Sequence, residues 1–165
     1  MFLSRIFTLY PEYFPGYLNK GLFGKAMNEK IWNLETVNIR DYTFDKHKTV
    51  DDTPYGGGSG MIIKADVLAK SLDENIKEKE KIIYLSPKGK LFDHKYAKEL
   101  STEKTLNLIC GHFEGIDERI IQNRNIEEVS IGDFVLSGGE VATFVVLDAI
   151  LRFIPGVLGN ENSTQ

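Results

Sequence analysis

Carboxylates gather at two places in this chain where their spacing suits proton transfer or metal ligation. Glu114 precedes Gly115-Ile116 and then Asp117-Glu118-Arg119, a grouping that can serve as a paired acid and base. The same acidic residues also suit the first turn of a helix, where negative charge meets the positive end of the helix dipole. That explanation is favoured for Glu118, while Glu114 and Asp117 fit either reading. Asp45, His47, Asp51 and Asp52 have metal-ligand chemistry but are interleaved with Lys46 and Lys48, which oppose a bound cation. This segment reads equally as a solvated polar loop or a functional one. Arg152, in an apolar run, either pairs with Asp148 four residues earlier or meets an anionic partner such as phosphate. His94 and His112 have no ligand spacing and read as ordinary surface or hydrogen-bonded histidines.

Two glycine-rich segments stand beside these residues. Gly56-Gly57-Gly58-Ser59-Gly60 has neither the GK[ST] ending of a phosphate loop nor the GxGxxG pattern. It reads as a flexible turn, although its glycines permit close backbone approach to a ligand. Ser130-Ile131-Gly132-Asp133-Phe134-Val135-Leu136-Ser137-Gly138-Gly139-Glu140 places two glycine breaks around an apolar run. Ser137 and Glu140 have the spacing of a capping box at a helix start. The break at Gly132-Asp133 leaves backbone groups without a regular partner, and a small polar ligand is one candidate for that role.

The elements that must position these residues follow from periodicity. Met1 to Tyr10 reads as a first strand, and Lys81–Ser86, Thr105–Cys110 and Glu127–Ile131 read as further strands. Helical patterns cover Ala65–Lys79, Asp93–Leu100, Asp117–Arg124 and Gly138–Ile154. Strands alternating with helices predict an α/β fold with a mostly parallel sheet, whose ligands gather outside the carboxyl ends of the strands. The last helix is apolar around most of its circumference, which implies burial on every side. In a domain of this size, part of that surface is expected to pack on a second copy of the chain.

A length of 165 residues is enough for one domain with a sizeable core. The net charge of −4 gives no general attraction for nucleic acid, so any such contact must be local. The single cysteine, Cys110, lies in an apolar run and reads as a buried structural thiol. Arg5 interrupts the apolar amino terminus, no cleavage signal follows it, and no uncharged stretch is long enough to span a bilayer. A cytoplasmic setting with no membrane contact is expected.

Taken together, the segments Asp41–Asp52 with Pro54–Gly58, Ile83–Pro87, Cys110–Arg119, Ser130–Glu140 and Arg152–Gly159 closely resemble the bacterial tRNA (guanine-N1)-methyltransferase family, in the family's order and across nearly the whole chain. The resemblance implies a knotted α/β methyltransferase, with a trefoil knot near the carboxyl end of the sheet, an exception to the rule against threaded chains. It implies S-adenosylmethionine as cofactor, held by Tyr84, Leu85, Ser86 and Pro87, by Gly111, Glu114 and Gly115, by Ser130, Ile131, Gly132, Asp133, Phe134, Val135 and Leu136, and by Gly138 and Gly139. It assigns Asp51, Gly58 and Gly60 to the substrate, and no residue to a metal.

The implied reaction is methylation of guanine N1 at position 37 of tRNA, next to the anticodon, in a homodimer with its active sites at the interface. Arg152 matches an arginine that holds the guanine or stabilises its developing charge, and Glu114 matches a carboxylate beside the methionine end of the cofactor. In the family a general-base aspartate follows the Gly156-Val157-Leu158-Gly159 segment, and no aspartate follows before Gln165. The expectation is therefore a truncated amino-terminal portion: a cofactor-binding domain at 1–159 and the start of a linker at 160–165, able to bind cofactor and dimerise but nearly inactive on tRNA. His112, Phe113 and Ser59 stand where the family pattern has Arg, Tyr and Pro. A ribose 2′-O-methyltransferase of the same knotted class and a non-catalytic cofactor-binding dimer module are the alternative readings.

Overall fold

The computed structural model describes residues 1–58 and 60–159; Ser59 and the expected linker start at 160–165 lie outside the described residues. The chain begins with β1 (Phe2–Thr8), two 3-10 turns (Pro11–Tyr13 and Gly16–Asn19), α1 (Gly21–Asn28) and β2 (Trp32–Asn38). A third 3-10 turn (Ile39–Tyr42) precedes the short strands β3 (Asp51–Asp52) and β4 (Ile62–Ile63). The second half runs α2 (Ala65–Asn75), β5 (Lys81–Leu91), α3 (His94–Leu100), β6 (Thr105–Cys110), α4 (Glu118–Asn123), β7 (Glu127–Ser130) and α5 (Gly139–Leu151).

The main sheet has the order β2-β1-β6-β5-β7, and its strand pairs are all parallel. The small ribbon of β3 and β4 is antiparallel. The expected α/β class with a mostly parallel sheet flanked by helices is borne out.

Adjacent residues explain why both faces of the sheet are covered. Ile6 and Phe7 are each fully buried but belong to different apolar clusters, as strand geometry requires when side chains alternate between faces. Leu108 and Ile109 divide in the same way. One face packs against α1, α3 and α5 through Ala26, Ala97, Leu100, Val146, Leu147 and Ile150. The other packs against α2 and α4 through Val67, Leu68, Leu72 and Ile120.

Arg5, the charge inside β1, is buried but satisfied. Its Nη1 donates to Asn107 Oδ1 at 2.9 Å and to Glu80 Oε1 at 2.8 Å. A buried charge without such partners would be strongly destabilising.

The last helix is shorter than its pattern suggested, because its final turn tightens: Phe153 N–H bonds Ile150 O and Ile154 N–H bonds Leu151 O, the i to i+3 spacing of a 3-10 turn. Its circumference is not wholly covered within one chain, since Val141 and Val145 are 60% and 46% exposed. Among the described residues no helix is long and apolar enough to cross a membrane.

Candidate active site

The middle of β5, where its pairing with β7 shifts register between Leu85 and Lys90, and the chain at and after the ends of β6 and β7 enclose a cleft of about 330 Å³, within the size range of small-molecule sites. The lining segments are 84–88 within β5, 111–116, and 128–139 apart from Asp133. Tyr84 is buried and forms part of the lining. Burial, with the nearby Glu128 and Glu118 charges, pushes its phenol up to about 12, so it stays protonated at neutral pH. A Cβ built on Gly111 would lie 2.9 Å from the Tyr84 hydroxyl, so a side chain there would close the cleft against its own wall.

The start of α5 corrects the capping-box expectation. Gly138 occupies the N-cap with no side-chain cap bond, and Ser137 is exposed. The Glu140 side chain is drawn elsewhere: the Thr8 hydroxyl donates to its Oε1 at 2.7 Å, and His112 Nε2 lies 2.8 and 2.7 Å from its two oxygens. The hydroxyl and imidazole satisfy a carboxylate that is nearly inaccessible, which a distant backbone cap would not do. The break at Gly132 also has a local solution, since the Ser130 hydroxyl bonds both the N–H and the C=O of Gly132. The remaining segment up to Gly138 lies in neither helix nor strand.

Asp117 is a helix cap rather than half of an acid–base pair. It accepts from Arg119 N–H at 2.9 Å and is held by the Arg119 guanidinium at 2.6 to 3.2 Å. Those Arg119 bonds keep its carboxyl below the usual aspartate range despite burial. Arg119 also lies 3.7 Å from the Tyr55 ring centroid, which links α4 to the polar segment before the glycine turn. Asp45 is turned into its own loop, accepting from the Thr49 N–H and hydroxyl. Among the described residues no group of three or more His, Cys, Asp or Glu is placed to hold a metal ion.

Of the sixteen residues assigned above to cofactor, all but Asp133 line this cleft; Asp133 is exposed and outside the lining. Gly60 lies against it: a Cβ there would meet Glu114 Cγ at 2.3 Å, and Glu114 N–H donates to Met61 O at 2.7 Å. Asp51 and Gly58 do not line it. Arg152 follows the far end of α5, thirteen residues after Gly139, hence roughly 20 Å along the helix from the cleft. One chain therefore does not bring Arg152 and Glu114 together. Sequence reasoning passed over Thr8 and Glu128 and gave Glu140 and Glu118 helix-start roles; the Thr8 and Glu140 side chains tie the lining together, and Glu118 and Glu128 line the cleft. Only tertiary contact identifies them.

Comparison with known proteins identifies the family. The family model described as tRNA (Guanine-1)-methyltransferase TrmD matches residues 2–165. A protein of Pelagibacter ubique named tRNA (guanine-N(1)-)-methyltransferase is 69% identical, over 99% of this chain and 72% of its own length. Relatives of the same name from Bartonella tribocorum and Bartonella henselae are 53% and 54% identical, each over 99% of this chain and 70% of their own length. The chain thus spans about 70% of the length of these relatives, and the resemblance itself is borne out. The chain, with its cleft lined by the middle of β5 and the segments that follow β6 and β7, belongs to the tRNA (guanine-1)-methyltransferase family.

Proposed function

We propose that this chain methylates N1 of guanine 37 in tRNA, using S-adenosylmethionine bound in the cleft formed by the three segments. The observation that carries this reading is the meeting of segment 84–88 of β5 with the segments after β6 and β7 around one cleft in a chain of this family. The walls fit such a ligand: Ile116, Val129, Ile131 and Ala142 supply apolar lining for a planar base, and the segment 131–138 offers backbone donors and acceptors outside regular structure. Gly138 supports the fit too, because a Cβ there would meet the His112 ring at 2.3 Å. When bound, S-adenosylmethionine supplies a methyl group on a positively charged sulfur.

The residues of the chain would then bind and orient. Glu114, exposed at the mouth of the cleft, offers a carboxylate to the ammonium at the methionine end. Arg152 offers a guanidinium that would hold the guanine or stabilise the charge developing on it. Holding two reactants in line is worth roughly 7–11 kcal/mol, so positioning is the main contribution expected of the protein. The guanine is read as swung out of the anticodon loop, as RNA-modifying enzymes commonly require.

A homodimer follows from two features. Val141 and Val145 leave an apolar stripe on α5, and Arg152 is too far from the cleft of its own chain to serve it. Two chains packed through α5 would bring Arg152 of one toward the cleft of the other. We also read the path from β7 as closing a trefoil knot. The edge strand β7 adjoins β5, yet Gly139 abuts Cys110 and Gly111 at the end of β6, so segment 131–138 returns across the strand ends. A tRNA substrate implies a cytoplasmic setting, and residues 1–159 would form the cofactor-binding domain.

The test is incubation with tRNA and methyl-labelled S-adenosylmethionine, followed by digestion to nucleosides. Label in 1-methylguanosine is the expected result. Label in a 2′-O-methylated nucleoside, or none, overturns the reading.

A further inference from the structure

Three segments distant in sequence converge on one buried carboxylate. Glu140, in the first turn of α5, is 5% exposed at its side chain, and His112, in the loop after β6, is 14% exposed. The Tyr10 N–H donates to Thr8 Oγ1 at 2.9 Å, the Thr8 hydroxyl donates to Glu140 Oε1 at 2.7 Å, and His112 Nε2 completes the carboxylate's set of partners. The Tyr10 ring is tilted against the His112 ring at 56°, with centroids 5.1 Å apart. Glu140 is held by its helix and Thr8 by its strand, so His112 is the member carried by irregular backbone.

That backbone forms one wall of the cleft. Phe113, next to His112, has φ +61, a left-handed conformation that bulky residues avoid. Phe113 is also half exposed. The loop is thus held in an unfavourable shape at Phe113, while His112 beside it is anchored inward on Glu140. We propose that His112 is a positioning residue: its bond to Glu140 keeps the Gly111–Gly115 wall in the form that accepts the methyl donor. This rests on the reading of the cleft as the S-adenosylmethionine site.

The role separates from simple space-filling, because glutamine can hydrogen-bond Glu140 and phenylalanine can only fill the volume. Calorimetry with S-adenosylmethionine on the unmodified chain, His112→Gln, His112→Phe, Glu140→Gln and the His112→Phe/Glu140→Gln pair tests it, with circular dichroism to confirm folding. His112→Phe is expected to weaken binding about 10-fold. His112→Gln should stay within about threefold of the unmodified chain. The double variant should bind no more weakly than the weaker single one, since coupled residues are not additive. Tight binding by His112→Phe, or equal losses for Phe and Gln, overturns the proposal while leaving the cleft assignment standing. Losses that multiply in the pair overturn it also. If Glu140→Gln does not fold, the Phe and Gln variants at position 112 still decide. Failure of the unmodified chain to bind the donor overturns both readings.

Discussion

Gly139 and Cys110 are in backbone contact: a Cβ on Gly139 would stand 2.8 Å from the Cys110 Cα, and the Gly139 N–H donates to Gly111 O at 3.0 Å. The first turn of the last helix is thereby laid directly on the end of β6, with no room for a side chain between them.

Gly139→Ala forces these backbones apart, because neither is a flexible side-chain end that can swing away. The expected cost is about 2 kcal/mol, typical of overpacking, measured as a lower urea midpoint. Binding of S-adenosylmethionine should weaken in the same variant. An unchanged midpoint together with unchanged binding would show that the contact relaxes freely.

Arg5→Met leaves Glu80 and Asn107 without their shared donor and should destabilise the fold by about 3 kcal/mol, as loss of one member of a buried ion pair does. Burial alone would raise the Glu80 carboxyl, but the bonds from the Lys77 N–H and Arg5 outweigh it and leave it below the ordinary glutamate value of 4.5. A depressed folded-state value contributes stability that is present above the unfolded value and lost as pH falls through the folded one. Denaturation of the natural chain should therefore steepen below about pH 4.5. The Arg5→Met variant should show a shallower acid dependence; equal slopes would remove Arg5 from the account.

Cys110 is fully buried. Burial, and then the Glu140 charge, push its thiol well above the ordinary range, outweighing the Thr143 contact. Since the thiolate is the reactive form, a thiol reagent at pH 8 should not label the native chain. One equivalent should react once denaturant unfolds it. Prompt native-state labelling would contradict the burial.

Val141→Asp and Val145→Asp place charge on the exposed stripe of α5. Both should leave helix content unchanged, since neither side chain is in the core, yet sedimentation should show monomers in place of dimers. Methyl transfer should fall more than about tenfold, in proportion to the loss of interface binding, because Arg152 is remote from the cleft of its own chain. Dimers that persist in both variants would move the proposed interface elsewhere.

The second half of the chain was legible where short apolar runs alternate with capped helices, although β5, expected to end at Ser86, continues to Leu91. Asp93 and Asp117 do cap α3 and α4, and β6 has the bounds that periodicity gave it. The first half was harder to read for physical reasons. β2 is an edge strand whose exposed Asn33, Glu35 and Thr36 break the alternation that marks a half-buried strand. α1 contains Gly24, a poor helix former, which is tolerated because a Cβ there would strike Asn19 O at 2.3 Å. The Ser137–Glu140 pairing failed because local spacing cannot register competitors for the same carboxylate. Thr8 lies 132 positions away and His112 lies 28. The three lining segments could be named from the resemblance, but the distance from Arg152 to the cleft emerges only once α5 is seen to be a continuous helix.

The position of β1 has a consequence for how the chain is made. It lies inside the sheet, and Leu3 pairs with Thr105 across most of the chain's length. A ribosome must therefore deliver β6 before the first strand acquires its second neighbour. Until then β1 can pair only with β2, leaving one edge of a strongly apolar strand open to other nascent chains. Arg5, carried on that strand, keeps a charge among its apolar residues during the wait, and becomes enclosed only when Asn107 arrives to receive it.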